Sequence, residues 1–326
     1  MTAKTKWQLP PAGDMDKASG IYLQNMTMNQ IAERLKENDV LIVPIGSTET
    51  HGPGEPLGED TFLVTRLAEE VARKTGCTVA QPLWYGSHPY HHLGMPGTVV
   101  VPEDTFVDYI RAMIAGFWNA GFRKQILLNG HGQEWVIANA IHGFAKKYQV
   151  PSVLVMVHWW HVAGRHAFDE KHGGPFSTPL VHACEVEASY TMALCPEMVE
   201  ADDLIDVPLH DKYIGEGHLT GPGEPDPNPI RYWAHEGVLR NVEVIMYPEG
   251  SLGPSTRASA EKAIPGVEAV LDYLERLVTD ILSAFPPSEL PPVEEFTQRS
   301  GPEFEAVLEQ PYAEGWKHLY TVAWPP

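Results

Sequence analysis

Three short segments constrain this chain more than anything else in it. Asp39 to Ile45 (DVLIVPI), Lys124 to Leu128 (KQILL) and Ser152 to Val157 (SVLVMV) carry apolar runs without alternation. A strand wetted on one face alternates, so these runs imply strands covered on both faces, as in a parallel sheet. Segments of helical period lie between them. After Asp60, TFLVTRLAEEVARKTG places Phe62, Leu63, Leu67 and Val71 at helical spacing and stops at Gly76. Glu103 to Ala120 and Glu134 to Tyr148 read as helices, and Thr78 to Leu83 as a further strand. Parallel neighbours need a helical crossover, so the expected fold is α/β, a mostly parallel central sheet with helices on both faces. Glu187 to Leu194 reads as a helix start. Ser255 to Phe285 holds a long helix patterned by Val267, Val270, Leu274, Leu277 and Ile281, with Pro265 expected in its first turn. We divide the chain into an N-terminal segment (1–38), a single domain (39–285) and a Pro- and aromatic-rich extension (286–326), read as a surface strap or subunit contact.

Composition narrows the function. The 326 residues hold 23 Lys and Arg against 43 Asp and Glu, a net charge of −20 that repels nucleic acid and anionic membrane surfaces. No apolar run approaches the ~20 residues that span a bilayer, and the first 20 residues lack a signal-peptide core, so a cytoplasmic protein is expected. Cys77, Cys184 and Cys195 are too few and too irregular for a disulfide framework or a CxxC metal site. The 15 histidines, many in loops rich in Gly and Pro, are where chemistry is to be sought.

Four loops concentrate that chemistry. In GSTETHGPGEPLGED, extended backbone turns Glu49 and His51 the same way, and Asp60 can swing back toward them from a helix N-terminus. Two carboxylates and an imidazole suit a divalent ion such as Zn, Mn or Fe. Read alone, Asp60 is equally an N-cap. In NGHGQE, directly after KQILL, glycines on both sides leave His131 bare at the sheet edge, as a ligand or as a solvated turn residue. In LVHACEVEAS, Glu185 and Glu187 suit a helix dipole, which does not explain His182 before them. In YGSHPYHHLGMPGT, Ser87 and His92 are candidates for substrate binding. Trp159 and Trp160, at the end of SVLVMV, either wall a pocket for a small ring or belong to the core.

Taken together, GSTETHG with its later Asp, HHLGMPGT, NGHG, HACEVEAS and GSLGPSTRASAEK, in this order, resemble the creatininase (creatinine amidohydrolase) family from about residue 39 to 285. The resemblance implies two divalent ions, zinc or manganese with iron also open, and commonly a closed homo-oligomer such as a hexamer. It implies Glu49, Asp60 and His131 around one ion, and His51 and Asp60 around the second, with Asp60 bridging. Creatininase has Tyr-Glu after its NGH histidine, and that Glu completes the second shell, whereas this chain has Gly132-Gln133. Relatives with Gly-Gly there carry a Glu three residues after the later histidine. Glu185 holds that place and is the expected replacement, with Glu134 as runner-up and Gln133 left as a substrate contact. His182 and Glu187 match the family's catalytic histidine and glutamate.

The function so implied is hydrolysis of a small, cyclic substrate, in which a metal-bridging hydroxide attacks a carbonyl and His182 protonates the leaving atom. Family members act on creatinine, formamides, a precursor peptide, or a cyclic diketone of inositol catabolism. The longer chain, Gln133 and the extended tail favour the inosose hydrolase branch. A cyclic-amide or formamide amidohydrolase is the alternative, and a metal-dependent sugar isomerase or a non-catalytic metal-binding protein is more remote.

Overall fold

The computed structural model describes residue 7 and residues 20–87, 94–148, 150–208, 247–291 and 321–322. In chain order the helices are α1 (Met28–Glu37), α2 (Glu59–Thr75), α3 (Glu103–Asn119), α4 (Glu134–Tyr148), α5 (Trp159–Ala163), α6 (Glu185–Leu194) and α7 (Ala260–Ala284). The strands are β1 (Val40–Ile45), β2 (Thr78–Val79), β3 (Lys124–Asn129), β4 (Val153–His158), β5 (Asp206–Val207), β6 (Gly253–Pro254) and β7 (Thr321–Val322). Five of them form one sheet in the order β2-β1-β3-β4-β7, parallel at every pairing.

The runs that lack alternation are explained by two cores. Val40, Ile42, Ile126, Leu128, Val153 and Val155 feed the core shared with α2, α6 and α7. Leu41, Val43, Leu127, Leu154 and Met156 feed the opposite core, closed by Phe106, Ile110 and Ile114 of α3 and Ile137, Ile141 and Phe144 of α4. Period-2 geometry sends successive residues to opposite faces, and both faces are dry.

Several local expectations need correction. The segment read as a strand over Thr78 to Leu83 is regular only at Thr78–Val79. Pro82 has no N–H to offer, and pairing resumes at Leu83, whose amide donates to the Pro44 carbonyl at 3.0 Å. Asp60 is not the N-cap of α2, which is Gly58. Pro265 lies inside α7, as its sixth residue, rather than in the first turn. The next residue, Gly266, gives α7 its close approach to α6, because a Cβ there would fall 1.7 Å from the Tyr190 hydroxyl. The C-terminal extension does more than strap the surface, since β7 joins the sheet beside β4. The helix α1, with its Thr27/Gln30 capping box, was missed.

One buried ion pair anchors the amino-terminal edge of the sheet. Lys124 Nζ lies 2.7 Å from Asp39 Oδ1 and reaches the carbonyls of Phe285 and Pro286 just past α7, while Ser288 N donates to Asp39. Removing one partner leaves a buried charge without compensation. Lys124→Met is therefore expected to lower unfolding free energy by about 3–5 kcal/mol in chemical denaturation. No helix among the described residues is long and apolar enough to cross a membrane.

Candidate metal centre

The parallel strands end together, and the loops leaving β1 and β3 meet the first turn of α2 at their carboxyl ends, where ligands bind in such sheets. After β1 the chain closes on itself through Glu49 N to Leu57 O at 2.9 Å. After β3 the loop can touch α2 only because residue 130 is glycine, since a Cβ there would sit 2.1 Å from the Asp60 carbonyl oxygen. Asn129 then sets the turn. Its Nδ2 donates to the His131 carbonyl and, at 3.1 Å, to His158 Nδ1, while its Oδ1 accepts from His131 N. Burial, with His161 adding to it, pushes the His158 imidazole down to about 3, so His158 accepts as the neutral ring.

Glu49, His51, Asp60 and His131 are thereby brought together, all buried. His131 Nδ1 lies 2.9 Å from Glu49 Oε1 and 3.1 Å from Asp60 Oδ2. The other Asp60 oxygen, Oδ1, lies 3.8 Å from His51 Nε2, so its carboxylate faces two imidazoles with two atoms. A third carboxylate, Glu59, places Oε2 3.6 Å from the same His51 nitrogen. Potential ligand atoms gather as Glu49/Asp60/His131, His51/Glu59/Asp60 and Glu49/His51/His182, within 4.8 Å inside each group. Ligand atoms on one ion with bonds of about 2.0–2.2 Å stand about 3.0–3.4 Å apart, close to these separations.

The donor set itself fits cations. His51 Nδ1 faces the Glu49 carbonyl at 3.2 Å and donates to it, while Nε2 lies 3.6–4.0 Å from the carboxylates of Glu49, Glu59 and Asp60. That buried nitrogen has no hydrogen-bond partner among the described residues, and neither does Glu55 Oε1 nearby. Buried carboxylates gathered this closely repel one another unless positive charge lies among them. The electrostatics of the neighbouring acids agree. Burial, and then the neighbouring carboxylates, raise Glu55, Glu59 and Glu187 well above the ordinary value of 4.5. Burial opposes charge on His131, but Glu49 and Asp60 outweigh it and hold its pKa high.

These shifts share a sign. A raised folded-state pKa means the folded form holds protons more tightly, so stability is greatest below the unfolded value and falls as pH rises through the folded one. Metal-free protein is therefore expected to lose thermal stability as pH rises above about 6.5, beyond which the depressed His158 no longer offsets these groups, whereas zinc- or manganese-loaded protein should not. Thermal scans above that pH, with and without chelator, check this. A metal-free protein whose stability rises with pH there would contradict it.

The remaining expected residues divide. His182 lies beside the cluster: Nε2 is 2.7 Å from the Thr50 carbonyl, and Nδ1 is 3.8 Å from Glu49 Oε1. Glu187 acts on the segment that carries the imidazole. Its carboxylate accepts from the amide of Ala183, a non-glycine residue at φ +46°, and so holds the turn that carries His182. Glu185, expected as a ligand, turns away. It accepts from Ser177 N at 2.8 Å, from the Ser177 hydroxyl and from Lys262. Those hydrogen bonds overcome burial and keep the carboxylate below its ordinary range. The cause is helical: residues two apart differ by about 200° around α6, so Glu185 and Glu187 cannot face the same site. The runner-up, Glu134, opens α4 and joins none of the ligand groups found among the described residues.

Gln133, expected to touch substrate, is committed to the protein. Its Oε1 accepts from Ser87 N at 3.0 Å, and its Nε2 donates to Gly46 O and Asn129 Oδ1, tying three loops together. Ser87 is buried beside it. Trp159 is a core residue packed on Tyr190, with ring centroids 4.5 Å apart. Trp160 is half-buried and stacks on His158 at 5.0 Å. His92 lies outside the described residues. Glu59 was missed because an acidic pair in a first turn reads as dipole compensation.

Comparison with known proteins shows the family of the chain. The chain is 54% identical over 307 residues to the 3-dehydro-scyllo-inosose hydrolase of Thermotoga maritima, covering 94% of this chain and 98% of that one. It is 24% identical over 213 residues to the creatinine amidohydrolase of Pseudomonas putida, covering 59% and 78%. A solved structure of creatininase with manganese superposes with a TM-score of 0.61 at 22% identity, covering 82% of this chain and 99% of that chain, which shows a shared fold. A creatininase variant of zinc–zinc type superposes with a TM-score of 0.59, also at 22% identity and covering 82% and 98%. The family model for creatinine amidohydrolase matches residues 24–278, and the chain belongs to the creatininase family.

Proposed function

We propose that this family hydrolase cleaves a carbon–carbon bond of a small ring bearing two ketones, of the 3-dehydro-scyllo-inosose type, with two divalent ions held around Asp60. The observation that carries the substrate is the 54% identity over nearly the full length of the Thermotoga maritima enzyme. The cluster supports the chemistry. Glu49, Asp60 and His131 would hold one ion, and His51 with Asp60 the other. When bound, such ions supply Lewis acidity toward a carbonyl and make a water-derived nucleophile available near neutral pH.

The chain's own residues do the rest. Addition of hydroxide to one ketone breaks its bond to the neighbouring ring carbon, whose electron pair is held as an enolate by the second ketone. A proton must then reach that carbon. His182 is the side chain proposed to deliver it: Nε2–H is tied to the Thr50 carbonyl, which leaves Nδ1 to hold and release the mobile proton. Glu187, through Ala183, fixes the turn. Trp160 and Ser87 are the candidates for contact with the ring among the described residues, and His92 remains a candidate by sequence alone. The product is an open-chain keto acid heavier than the substrate by one water.

Incubating manganese- or zinc-loaded protein separately with 3-dehydro-scyllo-inosose, creatinine and a formamide, with mass detection, tests the reading. Turnover of the diketone with gain of one water is expected. Preferred hydrolysis of creatinine or the formamide would move the protein to the amidohydrolase reading.

A further inference from the structure

We infer that Glu59 is the carboxylate that completes the second metal site, in place of Glu185, Glu134 or Gln133; the inference rests on the two-ion reading above. The first ion finds two carboxylates and an imidazole in Glu49, Asp60 and His131, whereas the ligands expected from the family leave the second only His51 and the far oxygen of Asp60, with Glu59 the third member of that group of atoms. Two ligands leave a divalent ion under-coordinated, because even open sites hold three protein ligands.

The residues of α2 and α6 supply the third. Glu59 is buried, and its Oε2 lies 3.6 Å from His51 Nε2. Its other oxygen, Oε1, lies 2.8 Å from the Thr191 hydroxyl, which also reaches the Glu187 carbonyl at 2.9 Å. Thr191 thus steers Glu59 so that one oxygen is spent on α6 and the other faces the second site. Such orienting bonds to ligands are worth roughly 10–100-fold in metal affinity. The alternatives are engaged elsewhere. Gln133 is a neutral amide whose two ends bridge Ser87, Gly46 and Asn129, and Glu185 is held by Ser177 and Lys262. Glu55 shares the acidic pocket, lies 3.5 Å from the Thr191 hydroxyl, and joins no ligand group among the described residues. The buried His51 Nε2, which has no hydrogen-bond partner among the described residues, is a second observation beside the acidity, 3.6 Å from the same Glu59 oxygen.

The test is Mn²⁺ titration of chelator-stripped protein, read by elemental analysis after dialysis and by electron paramagnetic resonance, where adjacent ions give a spin-coupled signal. Wild type is expected to take up two ions and show coupling. Glu59→Gln should keep one ion and lose the coupled signal, while Glu185→Gln and Glu55→Gln keep two. Circular dichroism confirms the fold of each variant. If Glu59→Gln does not fold, Thr191→Val, which leaves every ligand in place, should weaken the second ion by about 10–100-fold and spare the first. Two tight, coupled ions in folded Glu59→Gln, or an unchanged second affinity in Thr191→Val, would overturn the role of Glu59. Fewer than two ions in wild type would instead overturn the two-ion reading on which it rests.

Discussion

Asp60→Ala is expected to strip the protein of both ions at once and to lower turnover by at least about a thousandfold. Its two carboxylate oxygens face different imidazoles, Oδ2 toward His131 and Oδ1 toward His51, so no other side chain of the cluster is shared in the same manner. The size follows from the several kcal/mol of transition-state stabilisation that bound ions supply, at a factor of ten per 1.36 kcal/mol. The fold should survive, because losing the Asp60 carboxylate removes its attraction to His131 but also relieves the repulsion that raises Glu59 and Glu187. Elemental analysis and thermal scans of the same samples check both halves, and two ions retained would remove Asp60 from the bridging role.

His182→Asn is expected to leave metal content unchanged and to reduce kcat by about 10²–10⁴-fold, the usual worth of a positioned general acid. Its imidazole is fixed by Thr50 and stands 3.8 Å from Glu49, near the cluster yet tied to the protein. The loss should shrink for a substrate analogue whose departing atom needs no proton. Equal loss on both substrates would make His182 a positioning residue, and loss of an ion would make it a ligand, a role its grouping with Glu49 and His51 allows geometrically.

The sheet was legible because its signal is local and strong. Runs such as VLIVPI and VLVMV can be satisfied only by two dry faces, and the two cores supply them. Two loops at strand ends and the helix start that follows the first carried Glu49, His51, Asp60 and His131 in readable order, because residue type and position after a strand suffice to nominate them. Orientation was not readable. Whether Glu185 or Glu187 faces the site depends on where α6 begins, and a one-residue shift rotates a side chain by about 100°. Gln133 looked like a substrate contact because two of its three partners, Gly46 and Ser87, lie far from it in sequence. Trp159 could not be told from a pocket wall until α6 set Tyr190 against it. The pair Lys124 and Asp39 was equally hidden, being 85 residues apart.

The claim on which the account turns is that water cleaves a ring carbon–carbon bond and that the released carbon takes up a proton. Turnover of 3-dehydro-scyllo-inosose by metal-loaded protein, run once in heavy-oxygen water and once in deuterium oxide with mass analysis of the product, measures both directly. The account predicts one solvent oxygen in the new carboxylate and one solvent hydrogen on the carbon that left it. A product of unchanged mass, as an isomerase would give, or one with no solvent oxygen in its carboxylate, would contradict it.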